Sequence, residues 1–135
     1  MFKINDNIIF MFEYIKRVQV AIRDIKDGKV VIMVDDLDRE NEGDLVYAAE
    51  FSTPSKINFL CTFAKGLICV PISKGISSKL DLPLMVDNQK TFMNTAFTVS
   101  VDSRDCKTGI SAYERDLTVR RLVDPSTKPS HLSRP

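Results

Sequence analysis

The chain has 135 residues, 44% hydrophobic and 27% charged, enough for one domain with a core and too few for two ordinary ones. Its formal charge of +1 argues against a general nucleic-acid or acidic-membrane binder, since those partners demand a marked basic excess. No apolar run approaches the roughly 20 residues of a bilayer span, and residues 1–11 lack the pattern of a secretory signal, so the sequence reads as cytoplasmic.

Residues 1–11 carry little pattern and read as an N-terminal arm. Ile15, Val18, Ile22 and Ile25 then recur at helical spacing, and Gly28 stands where that helix would stop. Residues 29–34, rich in β-branched side chains, read as a buried strand, and residues 45–49 as a second one. Thr53 followed by Pro54 is an N-cap with proline at the first helical position, opening a helix with Ile57, Leu60, Cys61 and Ala64 on its apolar face and a stop at Gly66. Residues 67–72 read as a strand, 73–80 as a short helix and 83–94 as a polar connection long enough to be functional. Residues 95–101 alternate, predicting a strand with one buried face. Ser111 and Glu114 form a capping box before a helix through about Val123. The tail, with Pro125, Pro129 and Pro135, has no core pattern. The sum is one α+β domain of about four strands and four helices. Cys61, Cys69 and Cys106, odd in number and without C-x-x-C spacing, read as reduced thiols.

Between the first two strands, residues 35–44 read DDLDRENEGD, six carboxylates and one guanidinium in ten residues. If residues 40–44 are extended, Glu40, Glu42 and Asp44 share one face while Arg39 and Asn41 point away. Like charges so placed repel unless a cation or shared protons sit between them, and hard oxygen ligands suit Mg²⁺ or Mn²⁺. The plainer reading is a solvated acidic loop. An EF-hand fits poorly: counting from Asp36, the sixth position is Asn41 instead of glycine and the twelfth Tyr47 instead of glutamate.

DDLDRENEGDLVYAAE, FAKGLICVPIS, LDLPLMVDN, TAFTVSVD and TGISAYERDLTVR occur in that order, and together they resemble the 3,4-dihydroxy-2-butanone 4-phosphate synthases of riboflavin biosynthesis. The resemblance runs over residues 12–135, which would form the N-terminal two-thirds of such a domain. It implies an α+β homodimer that uses Mg²⁺ (or Mn²⁺) to convert ribulose 5-phosphate, a sugar phosphate, into the four-carbon phosphate and formate, with no nucleic-acid or membrane partner. It further implies Glu40 as a magnesium ligand, Arg39, Glu40 and Asp44 as substrate contacts, Glu42 as an acid/base group, and Asp35 as a catalytic acid near the sugar. Cys69 and Thr108 match pocket-lining positions; read from local pattern alone, Cys69 belongs to a strand core and Thr108 precedes a helix cap.

Two departures stand out. Asn94 replaces a usual glycine, and the chain stops before the segment that in the family carries an essential histidine, a second histidine ligand, phosphate contacts and a glutamate. His131 is the only histidine and reads as an exposed loop residue. The resemblance to a C-terminally truncated member therefore leaves two expectations, a synthase or a catalytically inactive remnant acting as a dimerisation or interaction module.

Overall fold

The first helical pattern produces α1, Asp6–Lys26, so residues 6–11 continue the helix instead of forming a separate arm. The computed structural model describes residues 6–86 and 95–135, with side chains described from residue 11 onward. Gly28 closes α1 at a φ of 73°, a conformation that favours glycine, and a Cβ there would stand 3.0 Å from the Phe51 ring.

Strands β1 (Val31–Val34) and β2 (Gly43–Val46) pair antiparallel, with Val31 opposite Val46 and Val34 opposite Gly43. The expectation of a buried first strand fails: Ile32 is 72% exposed, and Met33 and Val34 are exposed as well. Among the described residues the sheet has only two strands, which leaves Ile32, Met33 and Val34 uncovered while Val31 is half-buried.

A 3₁₀ turn, Ala49–Phe51, leads into α2, Pro54–Phe63, where Thr53 Oγ1 accepts the Lys56 amide at 3.2 Å as the cap predicts. Ile57 is fully buried, Leu60 and Cys61 half-buried and Ala64 exposed, so the apolar face is narrower than its spacing implies. The chain turns at Lys65, with φ of 59°, one residue before Gly66. Residues 67–72 form no strand, because they have no ladder partner among the described residues; Leu67 is exposed, while Val70 and Ile72 pack on the core. Helix α3, Lys74–Lys79, starts as expected, with Ser73 Oγ accepting the Ile76 amide.

Of the strand expected at 95–101, a single bridge between Thr98 and Leu84 forms. Val99 and Val101 face the core as the alternation implies, whereas Phe97 on the same phase remains exposed. Residues 87–94, with Asn94 and most of the polar connection, lie outside the described residues. Strand β3 (Asp102–Ser103), helix α4 (Ala112–Val123), a 3₁₀ turn (Pro129–His131) and β4 (Leu132–Ser133) complete the chain, with β3 and β4 antiparallel.

The tail contradicts its patternless reading. Leu132 is 3% exposed and joins Leu80, Leu82 and Leu122 in the core, and Thr127 is fully buried. Pro125 follows the end of α4, Pro129 opens the 3₁₀ turn, and the pairing of β4 with β3 seats one isolated leucine in the core. Four α-helices and four short strands among the described residues make the α+β class.

Candidate active site

The acidic stretch is not the extended run that would align Glu40, Glu42 and Asp44. Residues 37–40 form a turn, Asn41 adopts a φ of 50°, and only Gly43 onward is strand. The cause is Asp35, which leaves β1 and draws the loop around itself. Its carboxylate accepts the Glu40 amide at 3.0 Å, the Glu42 amide at 2.9 Å and Arg39 at 3.4 Å. Partial desolvation raises the Asp35 carboxyl, but the Glu42 and Glu40 amides and the Arg39 charge outweigh it and hold it below the usual carboxylate range.

That inward curl leaves the other acids free at the rim. Glu42 and Asp44 are exposed, and their carboxylates have no hydrogen-bond or ion-pair partner among the described residues. Among the described residues the Glu40 carboxylate has only Arg39 near it, at 3.9 Å. Hairpin pairing sets Asp44 opposite Met33 and within electrostatic reach of Cys69, a residue 25 positions later. Cys69 is exposed and outside any strand, contrary to the core reading; burial of its thiol raises its pKa, and the Asp44 carboxylate adds to the rise.

Thr108 lies in a separate, well-tied loop. Its amide and hydroxyl both donate to the Glu114 carboxylate, at 3.3 and 3.1 Å, and the Lys107 amide and Ser111 hydroxyl donate to the same group at 2.7 and 3.1 Å. These donors, the Lys107 amide foremost, hold Glu114 at a pKa of about 2. The S-x-x-E spacing marked Glu114 as a cap, yet its grip on residues 107 and 108 depends on a loop closure that spacing does not encode.

His131 is not the exposed loop residue expected. It is half-buried in a 3₁₀ turn, and its Nδ1 accepts the Lys128 amide at 3.3 Å, which commits one ring nitrogen to the turn. Sequence reasoning also missed a buried polar group behind the hairpin. Asp116 is fully buried, with Arg120 2.7 Å from its Oδ2 in an ion pair whose geometry makes no hydrogen bond. Burial raises the Tyr47 hydroxyl pKa; its hydrogen bond with Ser52, at 3.1 Å, opposes this and the Asp116 charge reinforces it.

Oxygen donors of this loop suit a hard divalent cation in kind. Among the described residues no group of three or more His, Cys, Asp or Glu converges, so these residues form no all-protein cage. Mg²⁺ is commonly held without one, through one or two carboxylates with water and substrate oxygens completing the shell.

A family model described as 3,4-dihydroxy-2-butanone 4-phosphate synthase matches residues 19–135. The chain is 55% identical over 121 residues to the 3,4-dihydroxy-2-butanone 4-phosphate synthase of Wolinella succinogenes, covering 90% of this chain and 35% of that protein. It is 57% identical over 124 residues to the Sulfurospirillum multivorans protein of the same name, covering 92% and 35%. A crystal structure of 3,4-dihydroxy-2-butanone 4-phosphate synthase in complex with two magnesium ions superposes with a TM-score of 0.84 at 42% identity, covering 87% of this chain and 56% of that one. The chain thus spans about a third of the length of the curated relatives it matches.

Proposed function

Because the chain belongs to the 3,4-dihydroxy-2-butanone 4-phosphate synthase family, we propose that it serves the Mg²⁺-dependent conversion of ribulose 5-phosphate to 3,4-dihydroxy-2-butanone 4-phosphate and formate in riboflavin biosynthesis. One observation carries this reading. Asp35 folds the acidic loop so that Glu40, Glu42 and Asp44 stand outward, with Cys69 beside Asp44.

In this reading Glu40 would hold the divalent ion, Mg²⁺ or Mn²⁺. When bound, the ion supplies the positive charge that stabilises oxyanions developing on the ketose. Glu42, whose carboxylate has no partner among the described residues, takes and returns protons; Asp44 and Cys69 border the sugar; Arg39, tied to Asp35, places a positive charge at the loop's edge. Asp35 serves by position, since its oxygens are committed to two amides. The partner is a second copy of the chain, meeting the exposed apolar face of β1 (Ile32 and Val34) and of α1 (Val18 and Ile22). A cytoplasmic setting is supported by three free thiols.

Formate release from ribulose 5-phosphate tests the proposal. Loss of that release in Glu40→Ala is expected, and release unaffected by the substitution overturns it. A second reading, a non-catalytic interaction module, draws on the same exposed apolar faces. It predicts self-association that Ile32→Lys disrupts, with no formate formed by the unaltered chain.

A further inference from the structure

Residues 11–20 of α1 are exposed throughout, and only Ala21, Asp24 and Ile25 near its end are half-buried. The first half of this helix also lies outside the family match, since α1 starts at Asp6 and the match at residue 19. Met11, Ile15, Val18, Ile22 and Ile25 follow one another at steps of four, three, four and three, and in sequence the same steps reach back to Ile8 and Ile4. An apolar repeat of 3.5 residues is the seam of a left-handed coiled coil, whereas a helix that lies on a sheet or a lipid surface carries a wider stripe of period 3.6. Met11, Ile15, Val18 and Ile22 stand between 45% and 57% exposed, so the seam is unfilled within the described residues.

Such a seam asks for a helix of like length and period. Among the described residues the other helices span 10, 6 and 12 residues, and α4 already buries Val119 and Leu122 within the chain. A second α1 meets both requirements, because its 21 residues make a rod about 30 Å long. Charge sets the direction. Residues 6–13 hold the acids Asp6 and Glu13 and no base, whereas residues 14–26 hold Lys16, Arg17, Arg23 and Lys26 against the single acid Asp24. Parallel helices would align the two basic ends; antiparallel helices lay each acidic start along a basic end and oppose the helix dipoles. Setting Ile15 of one copy against Val18 of the other in that direction also sets Met11 against Ile22, with uncharged Gln19 and Ala21 at the flanks.

We propose that α1 pairs with α1 of a second copy as an antiparallel two-stranded coiled coil through Met11, Ile15, Val18 and Ile22. This deepens the reading above that the partner is a second copy, and it makes the α1 contact separable from the β1 face.

Sedimentation equilibrium of the full chain tests it, with Ile15→Asp, Val20→Asp and Ile32→Lys alongside and helix content followed by circular dichroism. Val20 is the control, exposed on the side of α1 opposite the seam. Ile15→Asp should weaken self-association by about tenfold or more, and Val20→Asp by less than about twofold. A second measurement reads direction: chains carrying Cys61→Ser, Cys69→Ser and Cys106→Ser together with either Ile15→Cys or Val18→Cys are oxidised separately and mixed. The mixture should form the cross-linked dimer faster than either chain alone.

Self-association of Ile15→Asp as tight as in the unaltered chain overturns the α1 contact, and if Ile32→Lys then dissociates the chain, the second-copy reading survives on β1 alone. Ile15→Cys that cross-links with itself as fast as the mixture overturns the antiparallel arrangement. Should Ile15→Asp lose helix content, the cross-linking decides. An unaltered chain that stays monomeric overturns the proposal and the second-copy reading together; its binding to vesicles of phosphatidylcholine and phosphatidylserine, lost in Ile15→Asp, would assign the seam to a lipid surface instead.

Discussion

The Asp35 carboxylate accepts the Glu42 amide at 2.9 Å from seven residues away, and this one contact turns an acidic run into a folded loop. With the Glu40 amide on the other oxygen, the loop's curvature depends on two acceptors that a single side chain provides. Asp35→Ala should therefore speed exchange of the Glu40 and Glu42 amides by about tenfold or more, with Asp35→Asn falling between, because asparagine retains one acceptor. Hydrogen exchange read residue by residue checks this, and unchanged rates in Asp35→Ala would contradict the loop's origin.

Glu114 makes stability acid-sensitive in a defined window. Its folded pKa of about 2 lies below the ordinary 4.5, so the folded state binds fewer protons there than the unfolded state. Its contribution is complete above about pH 4.5 and is lost as pH falls toward about 2. Glu114→Gln should flatten the acid side of the stability curve over that interval, measured as urea midpoints at a series of pH values. A curve as steep as that of the unaltered chain would assign the sensitivity elsewhere.

Gly109 should not tolerate a side chain. It sits at a φ of 71°, and a Cβ there would clash with both Asp102 carboxylate oxygens. Gly109→Ala combines the cost of a left-handed backbone, about 1–3 kcal/mol, with displacement of Asp102. Chemical denaturation should register the loss, whereas Gly66→Ala, where a Cβ meets open space within 4 Å, should leave stability within about 0.5 kcal/mol.

Asp116 depends on Arg120. The aspartate is fully buried, its partner is about half exposed, and among the described residues the 2.7 Å pair is the only compensation for its charge. Arg120→Ala should destabilise the chain by about 1–3 kcal/mol, the cost of a buried group left unpaired and softened by the arginine's contact with water. A double-mutant cycle with Asp116→Asn should recover part of that loss; strict additivity would show that the two residues do not interact.

Local chemistry was legible from the residues alone. Caps at Thr53, Ser73 and Ser111 form where their hydroxyls precede helical patterns, because a cap is decided within three or four residues. The helices, the turn at Gly28, the α+β class and the family likeness carried by five ordered blocks are of the same local kind. Strands were legible less well. Residues 67–72 and 95–101 carry strand composition, but a strand exists only if a neighbour supplies its hydrogen bonds. Exposure of β1 likewise depends on what covers it, which an aliphatic run does not state.

At the site, the acidic residues were identifiable by type while their arrangement was not. Period-two reasoning placed Glu40, Glu42 and Asp44 on one extended face, and the Asp35 carboxylate overrode it by pulling two amides inward. The nearness of Cys69 to Asp44, the seating of Leu132 in the core and the hold of Glu114 on Thr108 all join segments whose separation in sequence carries no signal. By itself the sequence determined which residues could do chemistry and which helices would form, since propensity, capping and charge act over a turn or less. Only the tertiary structure decided which of those residues meet, because packing and loop closure are settled by the whole chain at once.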